Sequence, residues 1–280
     1  MKILVMGGVT YDDLVYVEKF PAARPHTLFS KKHHATVGGT GAGKALNLNR
    51  LGHDVTLHAL IGDDPQGAFI REYFAREGLC FKPVIDPKGT ERHINLMNDD
   101  GERISIYVNY ATFEPEVNFE GLFENVDHIV LNIINYCRYA IPLINKPIWV
   151  DIHDYDGEST YHQDFIDAAD YLFMSSDQMP DYRAFMQRMI DDGKQLAICT
   201  HGKKGASILS KEGWIETPII PVEVVDTNGA GDSFFSGFLH GYLQGLPLET
   251  CMQYGTITAG LCVGSSELFS DKLTAESLHR

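Results

Sequence analysis

The sequence lacks the features that mark several classes of protein. No apolar run approaches the roughly 20 residues that a membrane helix needs, so we expect no membrane partner. Basic residues are few: 23 Lys and Arg face 38 Asp and Glu, which gives a formal net charge of −15. That balance argues against nucleic acid as a partner, because a phosphate backbone is bound by clustered Lys and Arg. The five cysteines are scattered without a Cys-x-x-Cys pair, which favours a reduced, cytoplasmic location.

What the chain does contain indicates one globular α/β domain over residues 1–280. Its composition is 44% hydrophobic and 22% charged, which is too apolar for a disordered chain. Strand-like apolar runs alternate with helical periodicity, and this alternation predicts a doubly wound, mostly parallel sheet with helices on both faces. A helix is expected over 67–76. The predicted strands cover 3–6, 55–61, 128–134, 148–152, 171–174, 196–200 and 219–225.

Two stretches interrupt this rhythm, at about 15–37 and 90–110. The first has no helical periodicity and contains a basic, His-rich patch, and the second resembles a hairpin around an Asn-Asp-Asp-Gly turn at 98–101. They are interpreted either as two surface loops or as a small β-sheet that forms a lid over the main domain. Long irregular segments in compact domains are often functional, which supports the lid.

The most informative segment is Asp-Thr-Asn-Gly-Ala-Gly-Asp at 226–232, which follows an apolar run and precedes a helix with apolar residues at 234, 235, 238, 239 and 242. Small residues at 229–231 let backbone amides converge at the helix N-terminus, where the dipole favours an anion. Asp232 falls in the first helical turn. It is suited to accept a proton from a hydroxyl that attacks a phosphorus atom, although an Asp at this position is also favoured by the helix dipole alone.

The segment at 226–232 resembles the C-terminal signature of the ribokinase-like (PfkB) carbohydrate kinases. The N-terminal signature of that family resembles Gly38-Gly39-Thr40-Gly41-Ala42-Gly43-Lys44-Ala45 and the Arg-Leu-Gly at 50–52. Three shorter matches lie in the family's order, at 7–12, 61–67 and 200–206. The resemblance spans residues 3–264 and implies a ribokinase-like fold with a β-lid, which transfers the γ-phosphate of Mg-ATP to a hydroxyl of a sugar-like molecule.

The resemblance also implies roles for individual residues. It gives Asp232 as general base, with the backbone of Gly229, Ala230 and Gly231 as an anion hole. The sugar is assigned to Asp12, Gly38, Gly39 and Gly43, and the nucleotide to Thr200, Gly202, Lys203 and Gly205. Asp226 and Thr227 match positions that help to bind an activating monovalent cation such as K⁺ in some members. A homodimer through the lid is expected by analogy with such lids.

The chain departs from the family pattern at two places. The family usually has an Asn at the position of Gly43, where it contacts the sugar. It often has an Asn-Glu pair, serving the phosphates and Mg²⁺, where this chain has Ser175-Ser176-Asp177-Gln178. The acceptor therefore stays open among ribose, fructose, fructosamine-type amino sugars, keto-deoxy sugar acids and nucleosides. Arg92 or Arg103 would supply a cation for an acidic sugar, unless both are merely solvated.

Three other interpretations compete with this one. The glycine-rich segment is one residue short of a P-loop, since Ala45 replaces the Ser or Thr that would bind Mg²⁺. The Asp- and His-containing segment at 151–156 suggests a metal cluster, although a loop at the end of a parallel strand explains it better. A non-catalytic sugar or nucleoside sensor on the same scaffold is the alternative to an enzyme.

Overall fold

The computed structural model describes residues 1–99, 103–110 and 117–279. Its main sheet has nine strands in the order β13-β12-β11-β10-β9-β8-β1-β4-β5, and a separate sheet has four in the order β3-β2-β6-β7. The main strands are β1 (Lys2–Met6), β4 (Asp54–Ile61), β5 (Cys80–Ile85), β8 (His128–Asn132), β9 (Ile148–Asp151), β10 (Tyr171–Ser175), β11 (Leu196–Thr200), β12 (Ala206–Ser210) and β13 (Gly213–Thr217). All pairs from β5 to β11 are parallel, and only the pairs that join β11 to β12 and β12 to β13 are antiparallel.

The main sheet is covered on both faces, as the alternation of elements predicts. The helices are α1 (Thr40–Arg50), α2 (Pro65–Arg76), α3 (Asn135–Arg138), α4 (Gln163–Ala168), α5 (Tyr182–Asp191), α6 (Ala230–Leu243) and α7 (Leu248–Val263). Along β1, Ile3 and Val5 join the core beneath α1 and α6, whereas Leu4 and Met6 join the opposite core. This period of two places one core on each side of the sheet.

The second sheet is the small β-sheet lid that the sequence predicts. It contains β2 (Thr10–Tyr16), β3 (Lys32–Gly38), β6 (Arg92–Met97) and β7 (Arg103–Asn109). Each of the two interrupting stretches supplies strands to it, and β2 joins them by pairing with both β3 and β6. Part of the predicted hairpin turn at 98–101 lies outside the described residues.

The strand predicted over 219–225 is wrong. This segment has no regular secondary structure, and Ile219, Ile220, Val222, Val224 and Val225 are all 41–50% exposed. Prolines at 218 and 221 lack the amide hydrogen that a strand would donate. The chain forms its antiparallel edge earlier instead, through β12 and β13, which the apolar runs do not predict.

Local sequence determines where the helices α2 and α6 begin. Asp64 accepts a hydrogen bond from the Gly67 amide at 2.7 Å, and Pro65 occupies the first turn, so α2 begins two residues earlier than predicted. The α6 helix begins after Gly229, whose φ of 75° is favourable mainly for glycine. The 226–232 signature therefore makes a tight turn into a helix.

No helix within the described ranges has the length and apolar character needed to cross a membrane.

Candidate active site

A cleft between the lid and the first turns of α1 and α6 brings the two signatures together. Its lining includes Asp12 from β2, Gly39 and Thr40 at the start of α1, and Asp232 in the first turn of α6. The lid adds His93, Asn95, Arg103, Ser105 and Tyr107, and the 226–232 turn adds Asn228. Asp12 and Asp232 are separated by 220 positions in the chain, so only the fold places them on one cavity.

Asp12 is held at the cleft by hydrogen bonds from the lid. Thr10 donates its hydroxyl to Oδ1 at 2.6 Å, and Asn95 donates its amide to Oδ2 at 3.0 Å. Burial raises the pKa of Asp12, and the Thr10 bond and the positive charges of His93 and Arg103 oppose that rise. The carboxylate is therefore oriented, and it keeps acceptor capacity for a ligand hydroxyl.

The glycines of the N-terminal signature allow close packing around Asp12. A Cβ at Gly38, the last residue of β3, would overlap the Asp12 carboxylate. Gly39 has a φ of 96°, and a Cβ there would lie 2.5 Å from the Gly8 carbonyl oxygen. That carbonyl accepts hydrogen bonds from the Gly41 and Ala42 amides at 3.0 and 3.3 Å, which fixes the start of α1 against the Gly7-Gly8 turn.

Gly43 lies directly beside the carboxylate of Asp232, the predicted base, and is not among the residues that line the cleft. It is buried within α1, and a Cβ at this position would lie 2.7 Å from Oδ2 of Asp232. The Asn that the family usually carries here would collide with that carboxylate in the arrangement seen. The absence of a side chain at Gly43 is therefore what permits α1 and α6 to approach each other.

Asp232 is 8% exposed and shares an ion pair with a buried lysine. The Lys44 Nζ lies 2.5 Å from Oδ1 of Asp232 and 2.9 Å from Oδ2 of Asp151, at the end of β9. Lys44 thus joins Asp151 to Asp232, which sequence reasoning did not predict. One sequence signal could have drawn attention to Lys44, because it follows Gly43, where the chain departs from the family signature. Periodicity, however, cannot show which buried carboxylates a lysine contacts.

The structure contradicts the P-loop interpretation. The Lys44 side chain is fully buried and paired with two carboxylates, so it does not point toward a bound phosphate. The metal-cluster interpretation of 151–156 gains no support either, since the described residues contain no group of three or more His, Cys, Asp or Glu side chains arranged to hold an ion. Asp151 instead contacts Lys44, and His153 lies 3.5 Å from the same carboxylate.

The start of α6 has the geometry of an anion site. Gly229 caps the helix, and Ala230 and Gly231 form its first turn with Asp232. First-turn amides have no intrahelical acceptor, and the helix dipole adds a partial positive charge. Asp226 precedes this turn as a buried carboxylate whose Oδ1 accepts the Asn228 amide at 2.7 Å, whereas Thr227 is exposed.

The predicted nucleotide residues lie at the end of β11 and in the turn between β11 and β12. Thr200 ends β11, and its carbonyl accepts the Ser176 amide at 3.0 Å. Gly202 and Lys203 are exposed in a single 3₁₀ turn, and Gly205 closes it with a φ of 96°. His201, inside this turn, is within hydrogen-bond distance of the Ser176 and Ser207 hydroxyls, at 2.9 Å each.

The two lid arginines lie in different places. Arg92 pairs with Asp13 at 2.7 Å and stays away from the cleft lining. Arg103 lines the cleft and donates a hydrogen bond to the Asn228 side chain, so it links the lid to the turn before α6. Of the two cations considered for an acidic acceptor, only Arg103 is placed to meet a ligand.

The chain is similar to known carbohydrate kinases along most of its length. The model of the pfkB family carbohydrate kinases matches residues 1–141 and 164–274. An acarbose 7(IV)-phosphotransferase from Actinoplanes sp. is 34% identical over 269 residues, covering 91% of this chain and 89% of the relative. The ribokinase of Bacillus subtilis is 26% identical over 283 residues, covering 93% and 92%.

A solved structure titled microbiome-derived acarbose kinase Mak1 superposes with a TM-score of 0.90 at 28% identity, covering 100% of this chain and 97% of that one. Both the signature-bearing cleft and the length of the matched regions exclude a chance resemblance. The chain belongs to the PfkB family of carbohydrate kinases.

Proposed function

We propose that the protein transfers the γ-phosphate of ATP to a primary hydroxyl of a carbohydrate, with Asp232 as the general base. The observation that carries this proposal is the shared cleft of Asp12 and Asp232, which faces the first turn of α6. Because both carboxylates line one cleft, a carbohydrate held through one hydroxyl by Asp12 can present another hydroxyl to Asp232. A sensor would have no need of a base at this place.

The chemistry follows from the positions of these groups. As the acceptor oxygen forms a bond to the γ-phosphorus, Asp232 takes the hydroxyl proton, and the bond from that phosphorus to the bridging oxygen of ADP breaks. Amides of Gly229, Ala230 and Gly231 stabilise the charge on the transferred group. The lid excludes water, which is otherwise a competing nucleophile.

Two cations suit the residues present. Mg²⁺ is commonly bound through one or two carboxylates together with substrate phosphates. Asp177, exposed beside the Ser176–Thr200 contact, fits that mode. Asp226 fits K⁺, because one of its buried oxygens holds the Asn228 amide and the other has no hydrogen-bond partner among the described residues. When bound, the cations would balance phosphate charge in an otherwise acidic protein.

The acceptor we place first is acarbose, because two similar proteins are named for it. A coupled assay of ADP formation tests this, with acarbose, ribose, fructose, a fructosamine, a keto-deoxy sugar acid and a nucleoside as acceptors. We expect ADP to form at an acceptor-dependent rate, and ³¹P NMR of the product to show coupling to two methylene protons. Binding without ADP formation would establish the sensor instead, and a phosphate on a secondary carbon would refute the primary alcohol.

We also propose a homodimer that forms through the outer face of the lid. Ile104, Ile106 and Val108 are 41–51% exposed on β7, and in the described chain β7 pairs only with β6. A second copy would cover this apolar face by a self-complementary contact. Ile106→Lys is expected to convert a dimer to a monomer in light scattering, and a wild-type monomer would refute the proposal.

We also propose a cytoplasmic location for this ATP-dependent reaction. The five cysteines are all free, which is consistent with a reducing compartment.

A further inference from the structure

A buried cluster of three charges surrounds the proposed base. Lys44 from α1 bridges Asp151 at the end of β9 and Asp232 in α6, at 2.9 and 2.5 Å. The lysine side chain is 0% exposed and each carboxylate side chain 10%. We call these three residues the Lys44 cluster.

The Lys44 cluster contains two anions and one cation, and therefore keeps one net negative charge. Burial lowers the pKa of Lys44, but the charges of Asp151 and Asp232 outweigh burial and raise it overall. The ammonium is therefore protonated at any pH at which the enzyme works. Without it, two carboxylates would face each other in a desolvated site, and one of them would hold a proton.

We propose that Lys44 is a positioning residue for phosphoryl transfer, which holds Asp232 ionised and fixes its Oδ1 so that Oδ2 faces the acceptor hydroxyl. This rests on the proposed role of Asp232 as base. Among the described residues Oδ1 accepts the Lys44 hydrogen bond and Oδ2 has no hydrogen-bond partner, so one oxygen is committed to the cluster and one is free. Asp151 shares the lysine charge, and this sharing keeps Asp232 basic enough to accept a proton.

A purely stabilising role explains the Lys44 cluster poorly. Removing two charges from water costs several kcal/mol for each ion, and apolar replacements of buried ion pairs are often neutral or stabilising. Control of the charge on Asp232 by Lys44 explains the arrangement better.

Burial and the neighbouring charges shift the pKa of Asp232 in defined directions. Burial raises the pKa of Asp232, Lys44 and His153 oppose that rise, and Asp151 adds to it. The Cys262 thiol of α7 also faces this region, and burial raises its pKa to about 12, so it is neutral. Across the cleft, Asp12 and Arg103 have opposite charges. Loss of Lys44 should therefore raise the pKa of Asp232, and loss of Asp151 should lower it.

The test compares Lys44→Met and Asp151→Asn with the wild-type protein. We expect the acidic limb of kcat/KM against pH to move up by about one pH unit or more in Lys44→Met, as for a carboxylate that loses an adjacent cation. It should move down in Asp151→Asn, with a lower plateau because the base is weaker. Lys194→Met is a matched control, because Lys194 is also buried but the one hydrogen bond that its side chain makes to a described residue goes to the Ala169 carbonyl, at 2.8 Å. The acidic limb of this variant should stay at the wild-type pH.

A second readout does not need turnover. The carboxyl ¹³C resonance of Asp232, assigned by its absence in Asp232→Asn, should titrate at a higher pH in Lys44→Met and at a lower pH in Asp151→Asn. Unmoved midpoints in folded variants would overturn the proposal, and Asp151→Asn alone decides it if Lys44→Met does not fold. Wild-type turnover in Asp232→Asn would instead refute the proposed base, whichever way the resonances move.

Discussion

Replacing Gly43 with alanine should test whether catalysis depends on the position of Asp232, because it displaces the carboxylate without replacing it. The new Cβ would lie 2.7 Å from Oδ2, 2.9 Å from Cβ and 3.0 Å from Cγ of Asp232. Real Cβ atoms rarely approach so closely, so the Asp232 side chain or the α1–α6 spacing must shift by several tenths of an ångström or more. A misplacement near 1 Å in a reacting group costs about 10²-fold in rate, and that is the loss of kcat we expect.

The stability of Gly43→Ala should change much less than its activity. Overpacking a core costs about 1–3 kcal/mol, whereas alanine in place of glycine inside a helix gains about 1 kcal/mol. The net loss is then at most about 2 kcal/mol by these figures. Gly260→Ala in α7 is the control, because its Cβ would meet only a Val222 methyl at an ordinary 3.4 Å. Steady-state kinetics and thermal unfolding of both variants test this, and wild-type kcat in a folded Gly43→Ala would refute the reasoning.

Three further results are expected. Asp12→Asn should raise KM for the acceptor by about 10- to 100-fold, since hydrogen bonds to a charged group contribute about 1.5–3 kcal/mol. The KM for ATP should stay unchanged, and an effect on ATP alone would contradict the assignment of Asp12 to the acceptor. Gly205→Ala should raise KM for ATP and lower the melting temperature, because Gly205 has a φ of 96° and a Cβ added there would overlap the Thr217 carbonyl. A variant with the wild-type KM and melting temperature would be inconsistent with this. Burial lowers the pKa of His58 to about 4, against about 6.5 in the unfolded chain, so the free energy of unfolding should fall as the pH drops from 6.5 to 4. At 1.36 kcal/mol per pKa unit the loss is at most about 3 kcal/mol, and denaturant titrations of His58→Gln should show a shallower dependence on pH.

The sequence predicts the architecture well where periodicity and glycine chemistry agree. The strand at 3–6 and the helix after 229 follow from local patterns whose physical causes act within a few residues. The sequence leaves the lid open between two loops and a sheet, because it depends on β2 pairing with β6, which lies about 80 positions away. The segment at 219–225 shows the limit of this approach. Its apolar composition resembles a buried strand, but none of the described strands pairs with it, and pairing partners are a property of the whole chain.

The candidate site also contains residues that the sequence could predict and residues that it could not. Asp12 and Asp232 are found from motifs, and the fold brings them to one cleft. The Lys44 cluster could not be predicted, because its members come from α1, β9 and α6, and only packing decides that a lysine in a helix points at two carboxylates. The role of Gly43 is likewise visible only once the distance to Asp232 is known.

The turnover of Asp232→Asn tests the central claim most directly. The substitution keeps the shape of the side chain and removes its ability to accept a proton as a carboxylate. With ATP and an acceptor at saturating concentrations, ADP formation should fall by at least about 10²-fold, the low end for loss of a general base, while both ligands still bind in calorimetry. Turnover near that of the wild type in a folded Asp232→Asn would contradict the account.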